Sequence, residues 1–161
     1  MTMTSDFVEM KIPAEPEYVG VVRLTVSGIA NRMGYSYDDI EDIKIAVSEA
    51  CTNAVNHAYP EEEVGQVTVG FGVYEDRLEV MVLDRGKSFN FEEIQGKLGP
   101  VNSEKSIEQL NEGGLGLFLI ESLMDKVEIS GEDGVVVMMT KFLHRDGVEV
   151  DASKVSSSPQ Q

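Results

Sequence analysis

The stretch Glu49-Ala50-Cys51-Thr52-Asn53-Ala54-Val55-Asn56-His57-Ala58 sets polar side chains four residues apart beside an apolar stripe. On a helix, Glu49, Asn53 and His57 stack on one face, with Asn56 beside them. The core stripe runs elsewhere, through Ile40, Ile43, Val47, Ala50 and Ala54. Successive helical residues differ in direction by roughly 100°, so the polar row follows the edge of the buried face. A row in that position lines a crevice rather than open water.

Upstream of this helix, Ser36 followed by Asp39 marks its start, a hydroxyl to cap free amides and an acid for the positive end. Before it, Val19, Val22, Val26, Ile29 and Met33 keep helical spacing from Glu17 to Met33, and Gly34 stands where a left-handed cap closes a helix. Phe7 to Ile12 alternates as a strand and is ended by Pro13 and Pro16. Downstream, Pro60 stops the central helix near Tyr59, and Glu61-Glu62-Glu63-Val64-Gly65 turns into the sheet.

Val67, Val69, Phe71 and Val73 alternate with Thr68, Gly70, Gly72 and Tyr74, and Glu75-Asp76-Arg77 turns this strand into the next. In that second arm Leu78, Val80 and Val82 share a face, and a period of two puts Asp84 on the same face. Patterning fails between Lys87 and Glu112, apart from a short helical turn at Phe89 to Ile94. A loop of that length inside a domain usually serves function, often as a lid. Gly113-Gly114-Leu115-Gly116 opens a third helix, with either Leu117, Ile120 and Met124 or Leu119 and Leu123 facing the core. Strands at Val127 to Ser130 and Val135 to Leu143 follow, joined through Gly131-Glu132-Asp133-Gly134.

The order of elements predicts an α+β domain, a two-layer α/β sandwich whose mixed, mostly antiparallel sheet is covered on one face by helices. One domain is expected over residues 1–147, with a lid at about 87–112 and a mobile tail at 148–161. The 161 residues bury a sufficient core without metals or disulfides, and the single cysteine, Cys51, reads as a small buried hydrophobe in a reducing, cytoplasmic setting. No apolar run is long enough to span a membrane, and Met1 to Asp6 lacks signal-peptide character. A formal net charge of -16 opposes binding to nucleic acid or an anionic membrane surface, while it favours solubility and attracts basic protein partners.

Three groups carry the chemistry: Glu49-x3-Asn53-Ala54-x2-His57, Asp84-x-Gly86 and Gly114-x-Gly116. Each alone is an ordinary structural pattern, a helix edge or a tight turn. In this order and separation they resemble the N box and the two glycine boxes of the GHKL (Bergerat-type) ATPase and kinase superfamily, over roughly Phe7 to Leu143. Val47-Ser48-Glu49-Ala50-Cys51-Thr52-Asn53-Ala54-Val55 and Gly113-Gly114-Leu115-Gly116-Leu117 look most like the bacterial anti-sigma factor serine kinases.

That resemblance implies ATP and Mg2+. Asp84 would accept a hydrogen bond from the adenine exocyclic amine, and Gly86 would let backbone approach the ring. Amides around Gly114 and Gly116 would face the phosphates. Thr140 would contribute a hydroxyl to the adenine pocket. Asn53 would give Mg2+ one oxygen ligand, with the others coming from phosphates and water. Glu49 would take the proton from the attacking hydroxyl. One position departs from the pattern: some relatives carry a basic residue before the second glycine box, where this chain has Glu112, and Lys97 and Lys105 are the nearby cations of the loop.

By the same resemblance the partners are a sigma-B-like sigma factor, which the chain binds and inhibits, and an anti-anti-sigma protein, which it phosphorylates on serine. A homodimer is implied too. Two other functions fit the motifs: a non-catalytic, ATP-regulated binding module, and the ATP-binding subunit of a histidine kinase. Glu49 disfavours the first, because adenine and metal binding need no carboxylate there. The histidine kinase reading would require a separately encoded phosphoacceptor domain.

Overall fold

Alternation and helical spacing resolve into elements close to those expected, in a computed structural model that describes residues 5–57, 65–84, 99–100, 114–130 and 136–144. β1 spans Ser5–Pro13. A 3-10 turn at Pro16–Tyr18 then leads into α1, Val19–Met33. The proline suits the start of that turn, since its missing N–H would have no helical partner. Gly34 ends α1 in the left-handed region at φ 100°, and its amide donates to the carbonyls of Ala30 and Asn31. α2 spans Tyr37–His57. Its start is capped as expected, the Asp39 amide donating to Ser36 Oγ at 3.1 Å.

The sheet continues with β2 (Gln66–Tyr74) and β3 (Arg77–Leu83), then β4 (Gly99–Pro100), β5 (Lys126–Ser130) and β6 (Val136–Phe142). α3, Gly114–Leu123, lies between β4 and β5 in the chain. The strand order is β1-β2-β3-β6-β5-β4. Every pairing among the described residues is antiparallel, so the parallel component that a mixed sheet would contain is not seen among them. β4 falls inside the loop expected to be patternless. A strand of Gly and Pro leaves no alternation to read. The expected helical turn at 89–94 and the tail at 148–161 lie outside the described residues.

Register sorts the strands into two faces, because residues directly opposite in antiparallel neighbours point the same way. Val69 pairs with Val82 and Phe71 with Val80, while Val80 pairs with Met139 and Val82 with Val137. These side chains join Val22, Val26, Ile43, Val47, Ala50, Leu117 and Ile120 in one core cluster, which identifies the face covered by helices. Fully burying each of the larger ones contributes about 1.5–3 kcal/mol. Of the two alternatives for α3, the core takes Leu117, Ile120 and Met124, leaving Leu119 exposed.

On the opposite face stand Thr68, Met81, Leu83, Val136, Met138 and Thr140, which are buried as well but belong to no part of that cluster. α2 is the middle helix of its layer, packed against both α1 and α3. This central place is what brings its polar edge into a crevice.

Candidate functional site

Glu49 is half-buried on α2, and its carboxylate lies against the first turn of α3. A Cβ built on Gly116 would overlap Glu49 Oε2 and stand 3.0 Å from both Cγ and Cδ. Only glycine leaves room for this approach. The contact joins two motifs that are far apart in sequence, and it places a carboxylate at the positive end of a helix that begins at Gly114. Asn53, one helical turn beyond Glu49, is half-buried on the same polar edge.

Asp84 follows β3 at 7% exposure. It is the turn residue after the strand and continues the phase of Val80 and Val82, which is the ground for expecting its carboxylate on the helix side. Thr140 is different. It pairs with Glu79 of β3 and Lys126 of β5, so it stands on the face away from the helices. The expectation that its hydroxyl shares a pocket with Asp84 is corrected by register: within β6 the helix side is held by Val137, Met139 and Lys141.

Gly86, Gly113, Glu112 and the loop lysines Lys97 and Lys105 lie outside the described residues. His57 closes α2, and its side chain also lies outside them. Cys51 is fully buried, and burial pushes its thiol up to about 12, which keeps it protonated and unreactive at neutral pH.

Lys141 was not singled out by the motifs, yet it occupies the helix side of the sheet. Its Nζ donates to the carbonyl of Leu123, the last residue of α3, at 2.7 Å. It also stands 3.9 Å from Asp39 Oδ1 and from Asp42 Oδ2 at the start of α2. The signal in the sequence was a charge in phase with Val137 and Met139, where an apolar residue belongs.

The donors fit an adenine nucleotide with its metal. The absence of a side chain at Gly116 brings the Glu49 carboxyl against the start of α3, and the unpaired amides of such a helix start suit phosphate oxygens. Asn53 offers a neutral oxygen of the kind Mg2+ accepts alongside phosphate. Among the described residues no group of three or more His, Cys, Asp or Glu side chains is placed to hold a metal ion.

The family of histidine kinase-like ATPase domains matches residues 12–141, and the chain belongs to that family. Its relatives include serine-protein kinase RsbW of Bacillus velezensis, 61% identical over 92% of this chain and 93% of the relative. RsbW of Bacillus subtilis is 57% identical over 95% of this chain and 96% of the relative. RsbW of Oceanobacillus iheyensis is 56% identical, covering 95% and 97%. These identities place the chain in the RsbW branch of serine-protein kinases. The crystal structure of the RsbU and RsbW domains of Rv1364c from Mycobacterium tuberculosis superposes with a TM-score of 0.62 at 22% identity, covering 91% of this chain and 35% of that one, and supports the fold.

Proposed function

We propose that this chain is an anti-sigma factor and protein-serine kinase that inhibits a sigma-B-like sigma factor and uses Mg-ATP to phosphorylate the anti-anti-sigma antagonist. The observation that supports the assignment of the site is the packing of Glu49 against Gly116. It puts a proton acceptor beside the helix start best suited to the phosphates.

Asp84, with Gly86, binds adenine from the end of β3, and the first turn of α3 at Gly114 and Gly116 receives the phosphates. Asn53 would hold Mg2+, which neutralises phosphate charge when bound. Glu49 accepts the proton of the substrate serine as that oxygen bonds to the terminal phosphorus and the bond to the ADP oxygen breaks. Serine is phosphorylated and ADP is released. Thr140 has no part in this reading, because it faces the other way.

Residues 1–147 form the kinase domain in this reading, working as a cytoplasmic homodimer. No helix among the described residues is long and apolar enough to cross a membrane. The net charge of -16 gives the sigma factor's basic, DNA-facing surface an attractive partner.

The deciding measurement is transfer from terminally labelled ATP in the presence of Mg2+ and the anti-anti-sigma protein. Label on a serine of that protein is expected, and Glu49→Gln is expected to abolish it while ATP and sigma factor binding persist. ATP binding without label in the unmodified protein would make the chain a regulated binding module. Label on a histidine would make it a histidine kinase subunit.

A further inference from the structure

The antiparallel pair α2 and α3 meets at two ends. At one end Glu49 packs on Gly116. At the other, the start of α2 and the end of α3 converge on Lys141, whose side chain is 10% exposed. The 2.7 Å bond to the Leu123 carbonyl is the dominant tie, since that oxygen is among those a helix leaves unpaired at its negative end. The two aspartates at 3.9 Å are 29% and 38% exposed, so water screens them and each adds less.

The strand that carries Lys141 is itself clamped. Tyr35, in the turn between α1 and α2, donates its hydroxyl to the Lys141 carbonyl at 2.5 Å. Asp125, just after α3, donates its amide to the Thr140 carbonyl at 2.9 Å and accepts the Phe142 amide on Oδ2 at 2.7 Å. Backbone on both sides of Lys141 is thus held by the two turns that flank the helices. Burial raises the Tyr35 hydroxyl well above its ordinary value, so it stays a donor.

We infer that Lys141 is a positioning residue for phosphoryl transfer: by tying the end of α3 to the start of α2, it sets where Gly116 stands against Glu49. The inference rests on the assignment of that contact to the active site. Seven residues separate Gly116 from Leu123, about 10 Å of helix, so a swing of roughly 10° about the tie moves Gly116 by about 2 Å. Displacements of about 1 Å at reacting groups can lower rates about 100-fold. Adenine recognition at the end of β3 lies outside this lever, whereas phosphate binding at Gly114 and Gly116 lies on it, so transfer should fall further than ATP affinity.

The test compares Lys141→Met and Lys141→Arg with the unmodified full chain in ATP affinity and in single-turnover transfer to the anti-anti-sigma protein. Rates are normalised to folded protein by circular dichroism. Lys141→Met is expected to slow transfer tenfold or more while ATP affinity falls by a clearly smaller factor, and Lys141→Arg is expected to restore transfer to within threefold. Unchanged transfer in folded Lys141→Met overturns the inference, as does equal loss of affinity and transfer.

If Lys141→Met does not fold, the Asp39→Asn, Asp42→Asn double variant carries the test. A fall in transfer of threefold or more that exceeds the loss of ATP affinity sustains the inference, and unchanged transfer, or equal loss of both, overturns it. Glu49→Gln, run in parallel, separates the two claims: if transfer survives that change, the site assignment fails whatever the lysine variants do.

Discussion

Asp84 and Thr140 are both buried polar residues on or beside neighbouring strands, at 7% and 2% exposure, yet they differ in phase: Thr140 pairs with Glu79 on the face away from the helices, while Asp84 continues the phase of Val80 and Val82. The helix face closes over Val80, Val82, Val137 and Met139, and the proposed site lies at its edge. The other face is buried too, with Thr68, Met81, Leu83, Val136 and Met138 beside Thr140. Burial of a polar group therefore does not identify it as functional. Its phase along the strand decides which groups it can meet.

The largest effect is expected where the helix layer comes closest to itself. Gly116→Ala adds a methyl group that must push the Glu49 carboxylate aside, and a flexible side chain can yield. Helix propensity offsets part of the strain, because alanine is favoured over glycine by about 1 kcal/mol. Thermal unfolding should then change little while serine phosphorylation falls about 100-fold. Full transfer in this variant would remove the Glu49–Gly116 approach from the mechanism.

Asp84→Asn tests the helix face next. Losing a charge-assisted hydrogen bond of about 1.5–3 kcal/mol should weaken ATP binding about 10- to 100-fold, measured by calorimetry. Equal affinity would refute the adenine assignment. Thr140→Val is the smallest: ATP affinity within twofold of the unmodified protein is expected, and a tenfold loss would place Thr140 in the pocket after all.

Most of the architecture is legible in the sequence, for identifiable reasons. The period of two in Val67, Val69, Phe71 and Val73 and the stripe Ile40, Ile43, Val47, Ala50 and Ala54 report burial directly, and all but the half-buried Ile40 and Val73 are buried. Gly34 was legible because a left-handed cap asks for glycine. β4 was not, since Gly99–Pro100 carries no pattern and its strand character comes only from pairing with Glu128 and Ile129.

The site divides in the same way. Glu49, Asn53, Asp84 and Gly116 stood out through spacing combined with family resemblance. Thr140 is implied by the family resemblance alone, and its phase along β6 contradicts that role. Lys141 belongs to no motif, because its partners are a backbone carbonyl and two helix-start acids that only the fold brings together.

The strand order also constrains how the chain folds. β2 and β3 are joined through a two-residue turn and can pair almost at once. The central seam of the sheet is different, for it unites Arg77 with Phe142 and Leu83 with Val136. Closing such distant segments loses chain entropy before native contacts compensate, which places this topology among the slower folders. On the ribosome, β3 emerges long before β6, so its inward row of Leu78, Val80 and Val82 must wait for the last strand of the sheet to be made.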